Sequence, residues 1–86
     1  MRAAIFSEHG GVEKISIGDF PDPECGPDDA VIKVNAVSLN GFDPMILGGT
    51  TSLKTPFPMV PGGDYAGEIV ELGANAGGDW AIGDRV

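Results

Sequence analysis

The side chains able to do chemistry in this sequence are few and scattered. A Ser/His/Asp nucleophile system would have to use His9, the only histidine, which sits in the turn His9-Gly10-Gly11. A glycine-rich turn predicts a solvated surface residue there rather than a general base. Cys25 lies in Pro23-Glu24-Cys25-Gly26-Pro27 with no basic neighbour to lower its pKa, so a reactive thiolate is not expected. As the only cysteine it cannot form an internal disulfide, and with His9 it falls short of a four-ligand zinc set. Neither G-x-G-x-x-G nor G-x-x-x-x-G-K-[ST] occurs, so these residues offer no phosphate-cradling turn.

Two segments gather polar side chains at the end of an element, where sites tend to be assembled. One is Ser38-Leu39-Asn40-Gly41-Phe42-Asp43, at which a strand meets a short helix. The other is Val60-Pro61-Gly62-Gly63-Asp64-Tyr65-Ala66-Gly67, at which a Pro/Gly loop becomes a strand. Each has an architectural reading beside the chemical one. Asn40-Gly41 also reads as a turn, Asp43 as a helix cap, and Gly67 as a bulge or a close backbone approach.

The elements that must hold these segments are short. Arg2 to Phe6 and Val12 to Ile17 read as a β-hairpin, the second arm partly alternating apolar and polar residues. Prolines at 21, 23 and 27 then forbid regular ladder pairing. Ala30 to Leu39 is the clearest strand, rich in β-branched residues, with Lys33 and Asn35 on one face. After Asn40-Gly41 the period changes. Phe42, Met45 and Ile46 share the spacing of a helical face, Asp43 before Pro44 suits an N-cap, and Gly48-Gly49 stops the helix after a turn or two. Thr50 to Pro61 reads as an irregular loop, Tyr65 to Leu72 as a strand, and Ile82 to Val86 as a turn entering one more. The expectation is five or so short strands with one short helix, a mainly β fold that removes its sheet edges by closing toward a barrel.

Composition bounds the partners. The chain has 86 residues, enough for one small domain, and 42% hydrophobic content, enough for a core. Five basic against thirteen acidic side chains give a net charge of −8, which argues against nucleic acid and against anionic lipid. No apolar run reaches the roughly 18 to 20 residues of a membrane span, so the expected location is cytoplasmic. With 14 glycines and 7 prolines, turns between short strands should be frequent.

In order and spacing, these segments resemble the N-terminal, GroES-like domain of the medium-chain dehydrogenase/reductase superfamily. The resemblance covers essentially residues 1–86. It rests on Met1-Arg2-Ala3-Ala4, Pro21-x-Pro23, Gly26-Pro27-Asp28-Asp29-Ala30-Val31-Ile32-Lys33-Val34 and Asn40-x-x-Asp43, with a glycine at Gly48 or Gly49. It continues through Pro58-x-Val60-Pro61-Gly62-Gly63-Asp64-Tyr65-Ala66-Gly67-Glu68-Ile69-Val70-x-x-Gly73 and ends on Gly83-Asp84-Arg85-Val86.

The resemblance implies a GroES-like, partly open β-barrel with one short helix. It also separates two branches. Zinc alcohol dehydrogenases carry a cysteine where this chain has Asn40, and a histidine followed by an acid where it has Gly63 and Asp64. An amide oxygen is a poor zinc donor and a glycine offers no side chain, so no zinc is expected. Asn40 with Asp43 is similar instead to the zinc-free quinone oxidoreductase branch, in which hydride passes from NADPH to a quinone or a conjugated carbonyl. By that resemblance Asn40, Asp43 and Asp64 are the candidate catalytic residues, and Asn40 also lies beside the nicotinamide.

The family continues into a Rossmann domain that residues 1–86 do not contain, so tight NADPH binding to this stretch alone is not expected. The resemblance therefore implies the substrate-binding half of a reductase, inactive alone and completed by a separate Rossmann domain. A stand-alone binding module is the alternative, a homodimer formed through an open sheet edge near Ile82–Val86. A chaperonin-like cap would rest on the fold name alone, because the chain lacks an apolar mobile loop.

Overall fold

Arg2–Ile5 forms β1 and pairs antiparallel with β2, Ser16–Asp19, in the register Arg2↔Asp19 to Ile5↔Ser16. These are the hairpin arms expected from the sequence, here seen in a computed structural model that describes all 86 residues. The terminal ammonium of Met1 and its carbonyl extend the ladder by one step to Phe20, each bond 2.8 Å long. The second arm begins later than the alternation suggested. Val12–Lys14 winds into a 3-10 turn, closed by Lys14 N–H to Gly11 and Ile15 N–H to Val12. Glu13 stabilises it locally, because its carboxylate accepts the Gly11 N–H at 3.1 Å; bonding to its own backbone N–H first, and to that of Gly11 second, holds the Glu13 pKa below the usual carboxylate value.

Ala30–Ser38 forms β3 and Asp64–Leu72 forms β4, and the two are hydrogen-bonded neighbours in a second two-stranded sheet. Between them Phe42–Gly48 forms α1, the only α-helix. Gly49 ends it in the left-handed conformation, φ +73°, with its N–H turned back to Ile46. The expected last strand is a single bridge, Glu68↔Arg85, flanked by paired bonds between Gly67 and Val86. No ladder closes the two sheets into a barrel.

By its contacts the chain divides into two units: unit 1 is Met1–Pro21 with Ser38–Gly63, and unit 2 is Asp22–Val37 with Asp64–Val86. In unit 1 the buried side chains are Phe6 and Leu47. Phe6 pairs its backbone with Met59 through two 2.9 Å bonds and meets the Phe57 ring edge-to-face at 5.8 Å. In unit 2 only Ile69 is fully buried among the hydrophobic side chains. The apolar content that promised a core is therefore mostly uncovered in this chain. Val34 and Val37 of β3 stand half or more exposed, as do Trp80 and Ile82. A strand with apolar residues on both faces needs cover on both, and these 86 residues supply little of it.

Gly67 has a packing reason. A Cβ there would collide with the carbonyl oxygen of Lys33 on β3 and sit 2.8 Å from Ile32 Cγ2. Of the two architectural readings of Gly67, the close backbone approach is the one realised.

Candidate functional site

Asn40 and Asp43 come together in unit 1, and their own backbone brings them there. Asp43 N–H donates to the Asn40 carbonyl at 3.0 Å, and Asn40 N–H donates to the Asp43 carboxylate at 2.9 Å. This reciprocal pair closes the turn that leads into α1. It also corrects the expected cap. The N-cap residue is Gly41, with no side-chain cap bond, while Asp43 lies inside the first turn and reaches back to Asn40. Pro44 forces no change in this arrangement, since a first-turn proline has no partner to lose. The Asn40 side-chain amide donates to Ser38 Oγ at 3.4 Å.

The two residues border a cavity of about 270 Å³. Its walls are apolar: Val12 and Ile15 from the 3-10 turn, Leu39 and Pro44 beside the polar pair, and Leu47 from α1. Asn40 and Asp43 are the only polar side chains that line it, and Pro61 and Gly62 bring the second sequence motif to its edge. The contribution of Val12 and Ile15 was not legible in the sequence, because alternation pointed to a strand there rather than a turn.

Asp64 does not line this cavity; it is the first residue of β4, exposed, in unit 2. Unit 2 has a larger groove of about 630 Å³ bordered by Asp28, Asp29, Tyr65 and Trp80, none of them a nominated site residue. No three His, Cys, Asp or Glu side chains converge to hold a metal ion.

The other two reactive side chains have structural surroundings. His9 is exposed, yet its ring is not simply solvated: Nδ1 lies 3.2 Å from the Leu47 carbonyl and the ring meets Phe57 edge-to-face at 5.0 Å. It anchors the last turn of α1. Cys25 is partly buried and unpaired, and its thiol pKa is raised by desolvation and then by the nearby charges of Glu71 and Asp29. That direction is opposite to what a nucleophile needs.

Residues 26–86 match the alcohol dehydrogenase GroES-like domain. The chain belongs to that family. Among its relatives, the L-threonine 3-dehydrogenase of Enterobacter sp. (strain 638) is 42% identical over 76 residues, covering 86% of this chain and 22% of the relative. Among solved structures, the quinone oxidoreductase from Coxiella burnetii superposes with a TM-score of 0.90 at 34% identity, over 99% of this chain and 28% of that one. A mycobacterial protein solved in complex with NADPH follows at a TM-score of 0.85 and 27% identity, over 99% of this chain and 26% of that one. The fold is thus the GroES-like one, mainly strands with a single short helix. The chain spans about a quarter of the length of the proteins it matches. Two of these relatives are by name a dehydrogenase and a quinone oxidoreductase, and no helix of this chain is long and apolar enough to cross a membrane.

Proposed function

We propose that this chain is the substrate-side part of a zinc-independent, NADPH-dependent reductase of quinones or conjugated carbonyls, inactive without a Rossmann domain. The observation that carries the reading is the Asn40–Asp43 pair at the rim of an apolar cavity. The donor set does not suit a catalytic zinc. Gly63 has no side chain, Asn40 offers only an amide, and no cluster of three ligands stands elsewhere.

NADPH, when bound, supplies the hydride. The residues of this chain orient and exclude. Asn40 lines the cavity, and its amide is able to bond a substrate carbonyl or the nicotinamide carboxamide. Asp43 holds the Asn40 backbone beside the cavity. The walls from Val12 to Leu47 offer the acceptor an apolar surface to lie against. Without a Lewis acid, rate then comes from holding donor and acceptor at near-attack distance. Asp64, placed at the start of β4, is assigned a role through the family resemblance alone.

The test is a chimera in which this chain replaces the matching N-terminal part of the Coxiella quinone oxidoreductase. It should reduce 1,4-benzoquinone with NADPH and keep its rate in the presence of a zinc chelator. Oxidation of L-threonine, or loss of activity on chelation, would place the chain in the other branch.

The exposed Val34 and Val37 of β3 favour a second reading, a pairing module whose partner is another copy of this chain. It requires a dimer at tens of micromolar that tightens with salt, because a charge of −8 repels a second copy. Sedimentation as a monomer removes it.

A further inference from the structure

We infer that Val12 and Ile15, together with Asp43, determine specificity: the cavity admits a neutral, ring-sized carbonyl compound and rejects one that carries a carboxylate beside the carbonyl. The inference rests on the proposed reductase reading for the identity of the site, and its own content is which compounds the site accepts.

Size is the first argument. A cavity of about 270 Å³ exceeds the roughly 150 Å³ that suffices to hold benzene in an apolar protein interior, so one ring fits with its substituent. It falls just below the roughly 300 Å³ at which sites for larger, drug-sized ligands begin. The wall is the second argument. Every lining residue except Asn40 and Asp43 is apolar or glycine, so a hydroxyl-rich or zwitterionic body would lose its water for no partner.

Charge is the third. Lys14, next to the wall residue Ile15, pairs with Glu8 at 3.0 Å and does not line the cavity. The one charged residue among its lining is Asp43, whose negative charge repels an anion at close range. Asn40 can bond a carbonyl but cannot neutralise a carboxylate. The matched threonine dehydrogenase acts, by its name, on an amino acid; this cavity has the opposite preference.

Two probes share one ring and one ketone: acetophenone, and benzoylformate, which carries a carboxylate in place of the methyl group. Titrated into the 86-residue chain and followed by NMR, acetophenone should shift the Gly62 amide and the Asn40 side-chain amide in the millimolar range. Benzoylformate should bind at least about tenfold more weakly, as close like charges demand. Asp43→Asn should bring the two affinities within about threefold of each other. Val12→Ser, at a side chain 80% exposed and so safe for folding, should weaken acetophenone several-fold. Equal affinity for the two probes overturns the inference, as do acetophenone shifts centred outside the cavity. Such a failure is distinct from failure of the reductase reading, which the chimera reports by quinone turnover.

Discussion

The chemistry proposed here reduces to one short backbone turn. Asn40 and Asp43 exchange two hydrogen bonds, which hold the Asn40 backbone beside the cavity. Asp43→Ala removes the acceptor of the Asn40 N–H and should lower stability by about 1 kcal/mol in urea unfolding, whereas Asp43→Asn should retain most of it. The strand-to-helix junction marked the segment, and the family resemblance, not the spacing, named both residues as candidates. Their bonding was not legible, because Asp43 before Pro44 reads equally well as an N-cap. Cys25 offers a separate check. Its raised pKa keeps the thiol protonated, so alkylation by iodoacetamide at pH 8 should be slower than for a free cysteine, and Glu71→Gln should speed it. Because the folded-state value lies above the unfolded one, the associated stability is complete below the unfolded thiol pKa. It is lost as pH rises through the folded value.

Among the elements, β1, β3, β4 and α1 followed from periodicity and punctuation, with boundaries within a residue or two. The 3-10 turn did not, because Val12-Glu13-Lys14-Ile15 carries an alternation that both a strand and a tight turn accommodate. What decides it is a local bond from Gly11 to Glu13, which no periodicity records. Two glycines test the element geometry. Gly49→Ala places a side chain at φ +73° and against the His9 ring, and should cost about 1 to 2 kcal/mol by thermal or urea unfolding. Gly67→Ala drives a methyl into the Lys33 carbonyl and should cost about 3 kcal/mol, the upper end of overpacking effects. If Gly67→Ala proved the milder of the two, the close approach of β3 and β4 would be wrong.

These 86 residues leave much of their apolar surface exposed. Phe6, Leu47 and Ile69 are the buried hydrophobic side chains, while Leu39, Trp80 and Ile82 face water. A hydrophobic content of 42% suggested a fuller core, but composition does not say on how many sides a strand will find cover. The isolated chain should therefore unfold with a free energy at or below about 5 kcal/mol and bind a hydrophobic dye in buffer. A sharp, high-denaturant transition without dye binding would contradict this. Charge is also unevenly spread: nine of the thirteen acidic side chains belong to unit 2, so added salt should raise stability chiefly through that unit.

Whether Asn40 stands beside the transferred hydride is tested most directly by the single-turnover rate of NADPH oxidation by quinone in the chimera, with and without Asn40→Ala. A positioning role predicts a fall of at least about tenfold in that rate with the fold intact, since small misplacements near the reacting atoms cost orders of magnitude. A variant that transfers hydride as fast as its parent would show that Asn40 is only a turn.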